Sequence, residues 1–412
     1  MSLVNLSLVA LALACPAISA FSIGGQRSTA RLVGLSRPPV RRQVTMQADL
    51  SDSELPPCVI KVIGVGGGGS NAVLRMVEYG VQGVDFIIMN TDVQALARAP
   101  PGVQVVKLGE VLTGGLGAGG KPDVGMAAAE ESMVDIDLVM AGADMVFVTA
   151  GMGGGTGSGA AEVVAAAAQR NGALTVGVVT RPFSFEGGRR KKQALEAIAR
   201  LKPNVDALIT VANDKLLEIL PDSVPIDEAL TSADDILRQG VVGISDIIVQ
   251  PGLINVDFAD VRTVLLNAGT ALMGIGSASG SNRATEAAQK AVSSPLLDMP
   301  VTQATGAVFN VVGGTDLSIG DVNAAAQVIN EAMSPDAMII FGAMVDPRLA
   351  AGAEVTVTMV ATGFDMADGS ENYVQKVSIP QGTVADYTLK APVAAIPAAA
   401  PQPPAPPPPP RP

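Results

Sequence analysis

Gly151-Met-Gly-Gly-Gly-Thr-Gly-Ser-Gly159 is the stretch whose reading decides the fold. Ahead of it runs Asp144-Met-Val-Phe-Val-Thr-Ala150, an apolar segment of strand length that is rich in β-branched residues. Behind it comes Ala160-Ala-Glu-Val-Val-Ala-Ala-Ala-Ala-Gln169, a strong helix former. The glycines therefore sit on a strand-to-helix turn. They let the backbone take positive φ, and without Cβ atoms they let a ligand press against the main chain. The helix behind offers unpaired N–H groups and the positive end of its dipole. Thr156 and Ser158 add hydroxyl donors. A di- or triphosphate needs this combination. A plain surface loop would be costly to order with five glycines in the seven residues from Gly153.

Gly153-Gly-Gly-Thr-Gly-Ser-Gly159 resembles the signature of the tubulin/FtsZ superfamily, its phosphate-binding loop. No Gly-Lys-Ser/Thr ends it, so it is not a Walker loop. The resemblance implies an α/β fold with three parts. These are a Rossmann-like GTPase domain on a parallel sheet, a long central helix and a smaller α/β C-terminal domain. It also implies that Gly151, Gly153, Gly154, Gly155, Thr156, Gly157 and Ser158 hold GTP or GDP.

Upstream, Cys58-Val-Ile-Lys-Val-Ile-Gly64 reads as a buried first strand, and a turn leads from it into a helix over Ala72 to Glu78. Gly64-x-Gly66-x-x-Gly69 is a dinucleotide fingerprint, which makes an NAD-binding Rossmann enzyme the competing reading. Asp92, after the strand Val84 to Met89, is near enough to serve a ribose in that reading. It leaves the second and stronger glycine motif unexplained. In the FtsZ reading Gly67, Gly68, Gly69, Ser70 and Asn71 form the first nucleotide loop, and Asn90, Thr91 and Asp92 resemble the second. Gly117, Ala118 and Gly119, within Leu116 to Pro122, resemble the third, which faces the γ-phosphate.

The strand Leu174 to Thr180 leads to Arg181-Pro-Phe-Ser-Phe-Glu-Gly-Gly-Arg-Arg190. In the family this loop gives a Glu to the ribose and an Arg to the nucleotide, by position Glu186 and Arg190. Arg189, Lys191 and Lys192 read as a solvated basic helix start. The strand Ala207 to Ala212 ends at Asn213, which matches the guanine-contacting Asn; elsewhere such an Asn is a turn former. A helix over about Asp227 to Val249 is the expected central helix, and its Asp235 stands where the family reads guanine. A carboxylate accepts from N1–H and the 2-amino group, and adenine offers no such pair of donors. The family's aromatic stacking partner is replaced by Leu230, which removes a π face from the base, on the order of 1 kcal/mol.

Pro251-Gly-Leu-Ile-Asn-Val-Asp-Phe-Ala-Asp260 resembles the FtsZ catalytic loop Asn-x-Asp-x-x-Asp. It assigns Asn255, Asp257 and Asp260 to catalysis. Two carboxylates three residues apart at a helix start lie on one side. There they are able to polarise water and help hold a cation, and Asp257 also suits a helix cap. In the family this loop reaches the next subunit's γ-phosphate. Further on, Ala268 to Ala291 reads as a pair of small-residue helices around Gly274 to Gly280. Strands are expected at Ala307 to Gly313, Ala337 to Met344 and Glu354 to Thr362, with a helix at Asp321 to Ala332.

The chain has 412 residues, a net charge of −12, no His or Trp, and 3% aromatic residues. This argues against a basic nucleic-acid face and against any mechanism that needs imidazole. Residues 1–48 contain no acid; an apolar run from Leu3 to Ala14 ends in Ala17-Ile-Ser-Ala20, and Arg27, Arg31, Arg37, Arg41 and Arg42 follow. A secretory signal ahead of an Arg-rich transit segment resembles the two-part address of plastids acquired by secondary endosymbiosis. Removing those five arginines from the 27 basic residues leaves 22 against 39 acidic ones, near −17. With Cys15 in the presequence, Cys58 stands alone, which points to a reducing compartment. Ala391 to Pro412 is half proline and is expected to be an extended tail without a core.

These readings divide the chain into a presequence (1–48), a linker (49–57), a GTP-binding domain (58–226), a central helix (227–250), a C-terminal domain (251–365) and a tail (366–412). The expected protein is a GTP- and Mg²⁺-dependent filament in the plastid stroma that hydrolyses GTP at subunit contacts. Its partners would be itself and a second FtsZ type, with membrane contact only through partners and no nucleic acid. The tail shows Ala395-Ile-Pro397 without the Phe-Leu of the family's anchor-binding peptide. An assembly-regulating subunit that binds GTP but hydrolyses it poorly is the alternative.

Overall fold

The computed structural model describes residues 58–218, 224–250, 252–254, 256–346, 348–349 and 352–364. The presequence, the linker, Asn255 and the proline-rich tail lie outside the described residues.

The first half alternates strand and helix. β1 (Ile60–Val65) runs into α1 (Gly66–Tyr79), and β2 (Asp85–Asn90) is followed by the short α2 (Val93–Leu96). β3 (Gln104–Lys107) precedes α3 (Glu110–Thr113), α4 (Pro122–Glu131) and α5 (Met133–Met140). β4 (Met145–Gly151) turns into α6 (Thr156–Arg170), β5 (Leu174–Arg181) into α7 (Gly188–Leu201), and β6 (Ala207–Ala212) leads to the long α8 (Ile226–Val249). The second half holds α9 (Phe258–Leu265), β7 (Gly269–Ala278), α10 (Arg283–Val292), β8 (Gly306–Gly313), α11 (Ile319–Ala332), β9 (Met338–Val345) and β10 (Val355–Thr362).

The strands form one sheet in the order β3-β2-β1-β4-β5-β6-β7-β10-β8-β9. From β3 to β7 every neighbour is parallel; β10 then pairs antiparallel with both β7 and β8, and β8 with β9 is parallel. Parallel strands covered on both faces must be apolar nearly throughout. β4 and β5 comply, being buried along almost their whole length. One face packs against α1 and α8 through Val73, Met76, Leu237 and Val241. The other packs against α4 to α7 through Ala128, Ile136, Val164 and Ala197. A third core fills the space between β7–β10 and the helices α10 and α11.

The order 3-2-1-4-5-6 reverses direction between β1 and β4. Ligands of such sheets bind outside the carboxyl ends of the strands at that switch point. The loops after β1 and β4 are the two glycine-rich segments.

Three expectations are corrected. The first helix begins at Gly66 rather than Ala72, and the helix after β4 at Thr156 rather than Ala160. In both, loop residues themselves wind the first turn. The region Ala268 to Ala291 is a strand and one helix, not two helices. Its small residues serve a close strand-to-helix approach: a Cβ on Gly274 would lie 2.2 Å from the Ala291 carbonyl, and one on Gly276 2.1 Å from that of Ala287.

Candidate nucleotide site

The glycines at the switch point fall into two groups. Some are packed against neighbouring backbone. A Cβ on Gly69 would meet the Thr149 carbonyl at 2.2 Å, and one on Gly68 would come within 3.2 Å of Gly151 Cα. On Gly157 it would lie 2.7 Å from the Gly151 carbonyl, and on Gly155 2.9 Å from Ala118 Cβ. These residues bring the first, third and fourth loops into contact. The others face open space. Around Gly67, Gly154 and Gly119 nothing lies within 4 Å of a Cβ position. The loops thus pack tightly among themselves and leave a bare backbone rim towards the crevice.

Two helices start at that rim, α1 at Gly66 and α6 at Thr156. Neither has a side-chain cap and neither carries an acid in its first turn. Their first N–H groups and both dipole ends are left for an anion. Ser70 Oγ and Thr149 Oγ1 are buried without a hydrogen-bond partner. A buried polar atom in that state is costly unless something satisfies it.

The remaining expected residues assemble around the same crevice. The Thr91 and Thr156 hydroxyls are 2.6 Å apart, joining the second loop to the fourth. Gly117 N–H donates to the Thr91 carbonyl at 3.1 Å, joining the third loop to the second. Asn90 accepts from the Asp92 N–H, and Asp92 caps α2 by accepting from Gln94 N–H at 2.9 Å. Ser158 Oγ accepts from Gly153 N–H at 2.8 Å, so this hydroxyl braces the loop. Glu186 pairs with Arg190 and also accepts from Phe183 N–H. A Cβ on Gly153 would lie 2.9 Å from the Arg190 carbonyl, so this pair stands beside the fourth loop. Asn71 is exposed on the first turns of α1.

Asn213 closes β6, buried, with its Oδ1 unpartnered. Leu230 on α8 is 45% exposed and covers little. Asp235 borders a cavity of about 600 Å³ between α1 and α8. Its carboxylate is already engaged: Arg238 donates Nε–H to Oδ1 at 2.6 Å, and Gln239 donates to Oδ2 at 2.6 Å. Burial works against its ionisation, but the Arg238 and Gln239 bonds and the Arg75 charge outweigh it and hold the carboxyl below the ordinary range. Arg75 ties α1 to α8 through Asp234 at 3.2 Å and Thr231 at 3.1 Å. Sequence reading missed Arg75, Tyr79, Arg238 and Gln239 as walls of this cavity. The spacing i, i+3 and i, i+4 from Asp235 was the available signal for the last two.

Asp257 and Asp260 are not brought to this crevice. Asp257 caps α9, accepting from Asp260 N–H at 2.9 Å, and both residues are exposed. They precede β7, whose first residue Gly269 pairs with Ala207, the first of β6. They therefore stand at the amino edge of the sheet, whereas the glycine loops stand at its carboxyl edge. From Asp235 to the end of α8 alone is on the order of 20 Å. Among the described residues no group of three or more metal-ligating side chains occurs. None of their helices is long and apolar enough to cross a membrane.

The model of the Tubulin/FtsZ family GTPase domain matches residues 59–221, and that of the FtsZ family C-terminal domain matches residues 269–365. An empty FtsZ dimer from M. jannaschii is similar at 43% identity, covering 74% of this chain and 88% of that one, with a TM-score of 0.71. A tryptophan-to-tyrosine point mutant of the same FtsZ gives 43% identity, 74% and 91% coverage and a TM-score of 0.72. CetZ2 from Haloferax volcanii, a GTPγS-bound protofilament, shares the fold at 22% identity, 77% and 97% coverage and a TM-score of 0.60.

Proposed function

The chain belongs to the FtsZ family of tubulin-like GTPases, and from that premise we propose that it binds GTP, polymerises head to tail and hydrolyses GTP where two subunits meet. One observation carries the reading: the glycine loops with their uncapped helix starts and the acids Asp257 and Asp260 lie on opposite edges of one sheet. Neither set completes a hydrolytic site within one subunit. Stacking the amino edge of one copy on the carboxyl edge of the next brings them together. Such a contact is heterologous and propagates as a filament.

In this reading the rim at Gly67, Gly119 and Gly154 and the first turns of α1 and α6 receive the phosphates. Glu186 and Arg190 flank the sugar, and Asn213 and Asp235 take the base. The unpartnered Ser70, Thr149 and Asn213 atoms and the open glycine rim fit such a ligand. Mg²⁺ keeps most of its waters and binds through substrate phosphates with few protein ligands, so phosphates received at this rim would be its main support. Bound there, it neutralises charge on the phosphates. Asp257 and Asp260 would orient the attacking water and accept its proton.

The test is GTP turnover per molecule as a function of protein concentration, with sedimentation in parallel. Turnover rising steeply where pellets appear supports the proposal; constant turnover at all concentrations would sink it. Pelleting with little turnover would favour the assembly-regulating subunit, for which the exposed Leu230 speaks. The composition of residues 1–48 supports plastid delivery, where a second FtsZ type would be the copolymer and division the role. A fluorescent fusion of residues 1–48 should enter a complex plastid, and its appearance in mitochondria or medium would refute that address.

A further inference from the structure

We propose that Tyr79, whose ring is contacted by both Arg238 and Arg348, is a positioning residue that fixes the orientation of the Asp235 carboxylate in the base subsite. The inference rests on the GTP reading above and adds to it residues outside the expected nucleotide loops.

Asp235 is gripped from one side. Arg238 places Nε 2.6 Å from Oδ1 and Nη2 3.3 Å from Oδ2, and Gln239 fills a second position on Oδ2. A forked guanidinium grip of this kind sets the plane of a carboxylate. An ionised carboxylate accepts about four bonds. Three are taken, so in this pose Oδ1 of Asp235, a residue lining the cavity between α1 and α8, keeps one open position, enough for one of guanine's two donors and not for both. The direction of that position decides whether an N–H of a guanine edge meets an acceptor. Adenine presents an acceptor at the corresponding ring nitrogen and is repelled.

Arg238 would not hold this pose unaided. An i, i+3 pair on a helix is weak, and an arginine has many rotamers. The Tyr79 ring supplies the restraint: the Arg238 guanidinium carbon lies 4.0 Å from its centroid, and the Arg238 side chain is only 11% exposed. Tyr79 itself ends α1, where the chain turns away through Gly80 at φ 78°. Tyr79 is about half exposed and needs support from a second neighbour. Arg348 provides it, with its guanidinium carbon 5.2 Å from the ring centroid and its Nη1 donating to the Tyr79 carbonyl at 3.3 Å. Arg348 is fixed in turn by a forked pair with Asp346, at 2.9 Å from Nε and 2.8 Å from Nη2. A chain of contacts thus runs from Asp346 through Arg348, the Tyr79 ring and Arg238 to Asp235.

The test measures GDP and ADP binding to full-length protein carrying Tyr79→Leu, Tyr79→Phe or Arg348→Ala, with thermal melting of each. Tyr79→Leu should weaken GDP about two- to fivefold and narrow the preference for GDP over ADP, the scale of a lost cation–π contact at a partly exposed ring. Tyr79→Phe keeps the ring and should bind as the parent does. Arg348→Ala, at an exposed site where folding is not at risk, should weaken GDP about twofold or more by the same route. Parent-like GDP binding in both Tyr79→Leu and Arg348→Ala would overturn the proposal while leaving the GTP reading intact. So would a loss in Tyr79→Phe equal to that in Tyr79→Leu. Absence of GDP binding in the parent protein is a different result, which removes the GTP reading itself.

Discussion

Asp246 shows how a single residue ties this fold to pH. It lies on α8 beside a cavity of about 270 Å³ that Gln82, Gln250, Met344 and Arg348 also line. Burial pushes its carboxyl up to about 6, against the pull of Arg238 and Arg348 and with the help of the Asp346 charge. In the unfolded chain an Asp titrates at about 3.9. Between those values the folded protein keeps a proton that the unfolded chain has released. The contribution of Asp246 to stability therefore falls as pH rises through that window, by at most ~1.4 kcal/mol per pH unit. Asp346 and Asp316 act in the opposite sense. The Arg348 hydrogen bond holds the first below the usual range, and bonds from Gly352 and Arg283 hold the second there, so both cost stability as pH falls. The raw profile mixes these signs, and the difference between parent and Asp246→Asn isolates one of them. Relative to the parent, Asp246→Asn should gain stability in urea as pH rises from about 4 to about 7. Parallel curves for the two proteins would show that Asp246 titrates as an ordinary carboxylate.

Among the elements, β7 is the one whose sequence misleads. Its residues Gly269–Ala278 have neither a helical nor an alternating pattern, and their small size suits a helix pair as well as a strand. Gly276 makes the difference testable. On an open strand Val would be favoured over Gly. Here a Cβ would sit 2.1 Å from the Ala287 carbonyl of α10, which is backbone and yields only if the helix moves. Gly276→Val should thus lose about 1–3 kcal/mol or more, read by chemical denaturation; unchanged or raised stability would mean that strand and helix are not so close. Other elements were legible for physical reasons. β1, β4, β5 and β6 are doubly covered parallel strands, and their apolar runs say so directly. The glycine loops were legible as strand-to-helix turns because an apolar strand runs into them and a helix former follows. The starts of α1 and α6 were not, since glycine reads as loop until the loop is seen to pack on another loop. Tyr79 and Arg348 were beyond reach, being 269 residues apart with no pattern joining them.

The whole molecule is polar along the strand direction, and its proposed chemistry depends on that polarity. Glycine loops and uncapped helix starts occupy the carboxyl edge, Asp257 and Asp260 the amino edge, with α8 spanning between them. Asp260→Ala leaves the carboxyl edge untouched, so this variant should bind GTP and assemble as the parent does. It should lose turnover by about 10²–10⁴-fold, the scale of a missing general base, and its filaments should be long-lived because GTP persists in them. Thr156→Arg does the reverse. It puts a long side chain where Thr156 now meets Thr91, and it should abolish nucleotide binding while keeping Asp260 intact. Each variant alone should be inactive. Mixed, the intact amino edge of Thr156→Arg can cap the GTP-loaded edge of Asp260→Ala, so phosphate release should return. The recovered rate should climb with total protein concentration, because the active species is a contact between two chains. Phosphate release from each variant and from the mixture decides the matter. Full turnover by Asp260→Ala alone, or a mixture as silent as its parts, would mean that the two edges do not share a site.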